Sequence, residues 1–186
     1  MGGSVTIDAL ATRVRAAEAR AGSTRVVAID GPSGAGKTVL AARLAKALGG
    51  APVVHLDDLY PGWDGLAAAP ALLSDWVLQP LSRGEPARYR RYDWAGEEYA
   101  EWHDVPAAPV LVVEGCGAGA RACAPYLALL VWVDAPAEVR RRRGLARDPG
   151  YEPHWERWAA QEQVMWAVDG TRERADVCLD GGPARP

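Results

Sequence analysis

Gly31-Pro-Ser-Gly-Ala-Gly-Lys-Thr38 matches the pattern G-x-x-x-x-G-K-[ST], and each fixed position has a physical reason. Glycines let the backbone wrap a phosphate. Amides along Gly31, Ser33, Gly34, Ala35 and Gly36, and at the start of a following helix, can then point at it. Lys37 can bridge β- and γ-phosphates, and the Thr38 hydroxyl can ligate Mg2+. Only two lysines occur in the 186 residues, and one of them stands here. A glycine-rich turn that binds nothing is the plain alternative. It would not require an apolar run before the loop and a helical pattern after it, and both are present.

Carboxylates close three apolar runs. Asp57 and Asp58 close Pro52-Val-Val-His-Leu56, Glu114 closes Val110-Leu-Val-Val113, and Asp134 closes the run from Leu129. If those runs are strands of an open α/β sheet, the carboxylates leave at the C-terminal edge, where such sheets bind ligands. There a carboxylate beside a γ-phosphate suits proton abstraction from a hydroxyl. Each could instead be a cap or a solvated strand end, Asp134 as a cap before Pro136. Arg140, Arg143 and Arg147 fall at i, i+3 and i+7, on one face of a helix, with Arg141 and Arg142 turned elsewhere. Eight of the fourteen aromatic residues lie between Tyr60 and Trp102. Tyr60, Tyr92 and Trp94 could stack on a planar group, or could be packing beneath a long loop.

The elements that would position these groups can be read in order. Ile7 to Arg20 carries a helical apolar stripe, and Arg25 to Asp30 is a short β-branched run that reads as a buried strand. Lys37 to Leu48 is a second helix, Pro52 to Leu56 a strand, and residues 70–81 a helix stopped by Pro80. Residues 82–109 read as extended with irregular turns. Strands follow at 110–114, 129–134 and 177–179, with helices at 136–147 and 153–168. Nearly all-apolar strands alternating with helices imply an α/β fold, a five-stranded, mostly parallel sheet covered on both faces.

The length fits one domain over 1–186. A net charge of -3 argues against a dedicated nucleic-acid binder, so the four-arginine run is not read as a nucleic-acid patch. Three widely spaced cysteines, Cys116, Cys123 and Cys178, form no disulfide framework or zinc set and read as small buried residues of a reducing compartment. No apolar run is long enough for a membrane span. No secretory signal is visible, and the N-myristoylation pattern over residues 1–6 is loose; the expected location is the cytoplasm. His103 and His154 lack metal-ligand spacing and read as surface or loop residues.

His55-Leu-Asp-Asp-Leu-Tyr60, Tyr92-Asp-Trp94, Val113-Glu-Gly115 and Val133-Asp-Ala-Pro-Ala-Glu-Val-Arg140 resemble, in order and spacing, successive signatures of the uridine kinase-like P-loop kinases, over roughly residues 24–180. The resemblance implies the P-loop NTPase fold of the kinase type, ATP and Mg2+ as cofactors, and a small-molecule acceptor bound by a segment near 60–104. It implies Asp57 as the general base, Glu114 near the magnesium, and a lid over 136–152 whose Arg140, Arg143 and Arg147 close on the triphosphate with Lys37. Tyr60, Tyr92 and Trp94 fall on the acceptor side. Two departures stand out. Glu97 or Glu98 occupies the stretch where that family has a base-binding histidine, and the segment after Arg147 is short. The expected activity is phosphorylation of a hydroxyl on a nucleoside or similar small metabolite, with no nucleic acid or membrane partner and the oligomeric state open, a homo-oligomer included. One alternative is a nucleoside monophosphate kinase gripping its acceptor through Arg83, Arg88, Arg90 or Arg91. Another is a regulatory protein that binds nucleotide without turnover. The chain lacks the Asn-Lys-x-Asp of GTPases.

Overall fold

Val26 to Ile29 are fully buried, and their side chains alternate between two cores, as a strand covered on both faces requires. This strand, β1 (Arg25–Asp30), is the centre of the sheet in a computed structural model that describes residues 5–181. It pairs in parallel with β5 (Val110–Glu114) on one side and β6 (Leu127–Asp134) on the other. β2 (Val53–His55) lies outside β5, and β7 (Val177–Asp180) outside β6. The order is β2-β5-β1-β6-β7 and every pairing is parallel, so the sheet is wholly rather than mostly parallel. The register sets Glu114 beside Ile29 and His55 beside Glu114, which brings these ends to one edge.

One face packs against α1 (Ile7–Ala16) and α2 (Lys37–Ala47), through Leu10, Val14, Ala41 and Leu44 against Val27, Ile29, Val112 and Val131. The other face meets the segment from Leu56 to Leu78 and α6 (Trp155–Asp169), with Trp158 and Tyr60 in that core. α5 (Ala137–Arg147) follows β6, a 3-10 turn over Pro149–His154 leads into α6, and the short α7 (Thr171–Arg174) leads into β7. Among the described residues no helix is long and apolar enough to cross a membrane. Residues 1–4 of the loose lipidation pattern lie outside the described residues.

Four expectations change. Pro80 does not stop its helix. α3 (Ala69–Leu73) runs through a π-helical turn at Ser74–Leu78 into α4 (Gln79–Ser82), where Pro80 is in the first turn. The wider turn relieves the ring's clash and the missing amide. Residues 82–109 hold a regular antiparallel hairpin, β3 (Ala87–Asp93) with β4 (Glu98–Val105), whose register shifts between Arg90 and Tyr92. α1 ends at Ala16, where Ala17 turns extended. Cys116 and Cys123 are buried, but Cys178 is exposed because β7 is an edge strand.

Candidate active site

β1 delivers the chain into the phosphate loop, and two close approaches dictate glycine there. A Cβ on Gly31, at φ +139°, would lie 1.9 Å from the Val133 carbonyl oxygen. One on Gly34, at φ +77°, would lie 2.2 Å from the carbonyl oxygen of Arg140, so the loop rests directly on the first turn of α5. Gly36 then starts α2 from a left-handed conformation, leaving the first amides of the helix free of side-chain caps. Ala35 is buried behind the loop.

Lys37 is buried at 8% exposure; its Nζ donates to the carbonyls of Gly31 at 2.8 Å and Pro32 at 3.0 Å. Burial opposes the ammonium charge, but Cys116 and the carboxylates of Glu162, Glu114 and Asp30 more than offset it and hold the lysine above its ordinary value. Asp30 accepts from the amides of Gly31, Gly117 and Gly119 at 2.6, 3.0 and 2.9 Å, tying the loop after β5 to β1.

Beside Lys37, the Thr38 hydroxyl donates to Glu114 Oε1 at 3.0 Å, and His55 Nδ1 meets the same oxygen at 2.6 Å. Burial pushes the Glu114 carboxyl up, but the hydrogen bond to His55 and the charge of Lys37 outweigh it and hold it below the carboxylate range. The same bond raises His55. A hydroxyl and an ionised carboxylate side by side at a strand edge are hard oxygen donors of the kind Mg2+ takes, usually with waters and phosphate oxygens completing the shell. The two residues fit that ion.

Asp57 lies across the cleft. Its carboxylate is open to the water of the cleft, yet the walls around it raise its pKa; Arg147, with Nη1 3.9 Å from Oδ2, pulls the other way, and Glu114 adds to the rise. Asp58 accepts from the Tyr89 hydroxyl at 3.3 Å. One cavity of about 610 Å3 joins these groups: Ser33, Gly34, Gly36, Lys37 and Thr38 line it together with Asp57, Asp58, Glu114, Arg143 and Arg147.

Four expected residues do not line it: Gly31 and Ala35 of the loop, Arg140 and Tyr92. Arg140 turns back within its own helix start, its Nε donating to the Ala135 carbonyl at 2.9 Å and lying 3.9 Å from Asp134. Asp134 thereby anchors α5 and does not face the cleft; its Oδ1 accepts from the Ala135 amide at 2.8 Å. Tyr92 packs edge-on against Trp94 and Tyr99 and supports the wall from behind. Arg143, by contrast, lines the cavity while donating to the Gly181 carbonyl at 2.6 Å.

Several site residues carried no signal in the sequence. Trp63, Trp158 and Tyr151 line the cavity with Tyr60 and Trp94, and His154, read as a surface or loop residue, lies in the turn before α6 and stacks on Trp63 at 4.1 Å. Glu162 of α6, 2% exposed, accepts from the Ser33 amide at 2.8 Å and the Cys116 thiol at 3.1 Å. One turn of the same helix also holds the aromatic wall, because Gln161 donates to the Trp63 carbonyl at 2.8 Å and Arg157 pairs with Asp64. A buried carboxylate on a phosphate-loop amide is visible only once α6 is folded against it.

Among solved structures, the chain is similar to a protein of Bacillus stearothermophilus described as a possible uridine kinase, with a TM-score of 0.68 at 21% identity over 94% of this chain and 97% of that one. The fold is that of the P-loop kinases. A Silicibacter protein described as a candidate fructose transport system kinase has the same P-loop kinase fold, with a TM-score of 0.59 at 22% identity over 94% of this chain and 98% of that one. No protein-family model and no curated protein matches the sequence.

Proposed function

We propose that this chain is an ATP- and Mg2+-dependent phosphotransferase that acts on a hydroxyl of a nucleoside or similar small metabolite in the cytoplasm. The observation that carries the reading is the single cavity shared by the phosphate loop, the Thr38–Glu114 pair, Asp57 and the arginines of α5. A protein that only binds nucleotide has no use for a carboxylate facing the loop across an open cleft.

The phosphate loop and the start of α2 hold the triphosphate by backbone amides, and Lys37 and Arg143 neutralise charge that spreads over the γ-phosphoryl oxygens. Thr38 and Glu114 would hold Mg2+, which would supply Lewis-acid charge to the reacting phosphate. Asp57 orients the acceptor hydroxyl and takes its proton. The hydroxyl oxygen forms the new bond to the γ-phosphorus as the bond from that phosphorus to the bridging oxygen breaks; ADP leaves with the electron pair. Cleft walls that raise Asp57 bring its basicity nearer to neutral pH, which favours this role.

A nucleoside monophosphate acceptor finds less support. Arg83 pairs with Glu85, Arg91 with Glu101, Arg90 donates to the carbonyls of Tyr99 and Ala100, and Arg88 lies over Trp102; none lines the cavity. The test is MgATP binding by calorimetry, followed by an ADP-release screen over nucleosides, nucleotides, sugars and amino alcohols. A protein that binds no MgATP, or that binds it and phosphorylates no alcohol in the set, would overturn the reading.

A further inference from the structure

The cavity is divided by charge. Its lining cations, Lys37, Arg143 and Arg147, belong to the phosphate loop and α5, and Arg147 is already opposed to Asp57 at 3.9 Å. The same cavity carries a connected set of aromatic rings, the wall: Trp63 meets Trp94, Tyr151 and Trp158 with ring centroids 4.8, 5.2 and 6.1 Å apart, and Trp158 meets Tyr60 at 4.8 Å. The carboxylates of Asp57 and Asp58 border that wall, and Trp94 is tied to it by its Nε1 donating to the Asp57 carbonyl at 3.0 Å.

The hydrogen-bond inventory of the wall is one-sided. The Tyr60 hydroxyl is committed to the Cys116 carbonyl at 2.9 Å, Tyr151 engages Ser33, and Trp94 engages Asp57. The Trp158 indole N–H is buried and has no hydrogen-bond partner in the protein. What these groups offer a ligand is π faces and carboxylate oxygens. Among the described residues the wall itself carries no cation for an anionic acceptor, whereas a cationic one meets aromatic faces, which attract it electrostatically, and an acceptor-only partner in Asp58. Asp57 is occupied with the hydroxyl; Asp58 accepts from the neutral Tyr89 hydroxyl at 3.3 Å, which leaves its charge uncompensated by that contact.

We infer that the phosphate acceptor is an alcohol bearing a cationic amine, its ammonium held between the aromatic wall and Asp58 while its hydroxyl reaches Asp57. This rests on the kinase reading above and narrows its acceptor class.

Matched pairs test it. Choline and its uncharged isostere 3,3-dimethylbutan-1-ol, glucosamine and glucose, and the anionic ribose 5-phosphate are titrated into the full chain with MgADP present, following tryptophan fluorescence. Each is then offered with MgATP and ADP release is measured. At least one ammonium alcohol should bind about tenfold or more tightly than its uncharged partner. Asp58→Asn should remove most of that preference. If both ammonium compounds bind no better than their partners, or ribose 5-phosphate binds best, the inference is overturned. The wild-type pairs decide this even where Asp58→Asn does not fold. Phosphorylation of an uncharged alcohol with rejection of both amines would overturn it while upholding the kinase, whereas absence of MgATP binding would remove the kinase reading itself.

Discussion

Gly34→Ala isolates the contact between the phosphate loop and α5. At φ +77° any side chain costs about 1–2 kcal/mol in backbone conformation alone. Here the added Cβ also meets Arg140 backbone at 2.2 Å from the oxygen, 2.7 Å from the carbonyl carbon and 2.9 Å from Cα. Backbone atoms offer no rotamer escape. Reaching ordinary contact, 3.4 Å or more, requires a relative shift of about 1.2 Å between the loop and the helix. Misplacing reacting groups by about 1 Å costs on the order of 10²-fold in rate. Gly84→Ala is the control: its φ is +71° and its Cβ would have nothing within 4 Å. Thermal melts should show both variants destabilised, Gly34→Ala more so. Calorimetry should show MgATP affinity reduced at least tenfold in Gly34→Ala alone, on the same displacement argument. If Gly34→Ala binds MgATP as the wild type does and melts no lower than Gly84→Ala, the loop does not depend on its seat against α5.

Lys37→Ala should leave a folded protein and lower phosphoryl transfer by about 10²–10³, the usual effect of one lost electrostatic contact; near-normal single-turnover rates would refute its role. Asp57→Asn should keep MgATP affinity and lower kcat by about 10²–10⁴, and a collapse of nucleotide binding instead would assign Asp57 to the metal or the fold. Arg143→Ala and Arg147→Ala should slow turnover, Arg141→Ala and Arg142→Ala should leave it nearly unchanged, and Arg140→Ala should lower melting temperature more than kcat, since it braces the helix start; equal effects at all five would mark a general basic patch. His55 is raised and Glu114 lowered by their contact, so His55 contributes stability below its ordinary 6.5 that is lost as pH rises through its raised value, and Glu114 contributes above 4.5 and loses it as pH falls through its lowered value. The melting-temperature gap between wild type and His55→Gln should therefore be widest between those two ordinary values and close above the raised imidazole pKa; a gap that does not vary with pH would refute the pair.

What the sequence disclosed follows the range over which each signal acts. The phosphate loop and the strands are local: fixed glycines, or five apolar residues in a row, suffice. The hairpin escaped because Arg90 and Arg91 interrupt the alternation at its bulge, so the period of two is broken where it would be counted. Helical spacing put Arg140 on the same face as Arg143 and Arg147, but spacing says nothing of how far along its stem a side chain bends, and Arg140 turned to the nearest carbonyl. Glu162 meets Ser33 across 129 positions and Trp63 meets His154 across 91, separations at which no motif is legible in a single sequence. Tyr60, Trp63 and Trp94 all lie in the aromatic concentration, but nothing in the sequence separates them from members such as Tyr92 that serve packing.

Helix α6 grips the phosphate loop through Glu162 and the aromatic wall through Gln161 and Arg157, within about two turns of one rigid element. Donor and acceptor ends of the cleft therefore share a bearing. On the proposed function, a rotation of α6 that drew Ser33 inward would also move the backbone of Trp63, and filling one end would then alter the free energy of filling the other. Linkage makes that influence reciprocal: whatever factor the nucleotide imposes on the affinity for the alcohol, the alcohol imposes on the nucleotide.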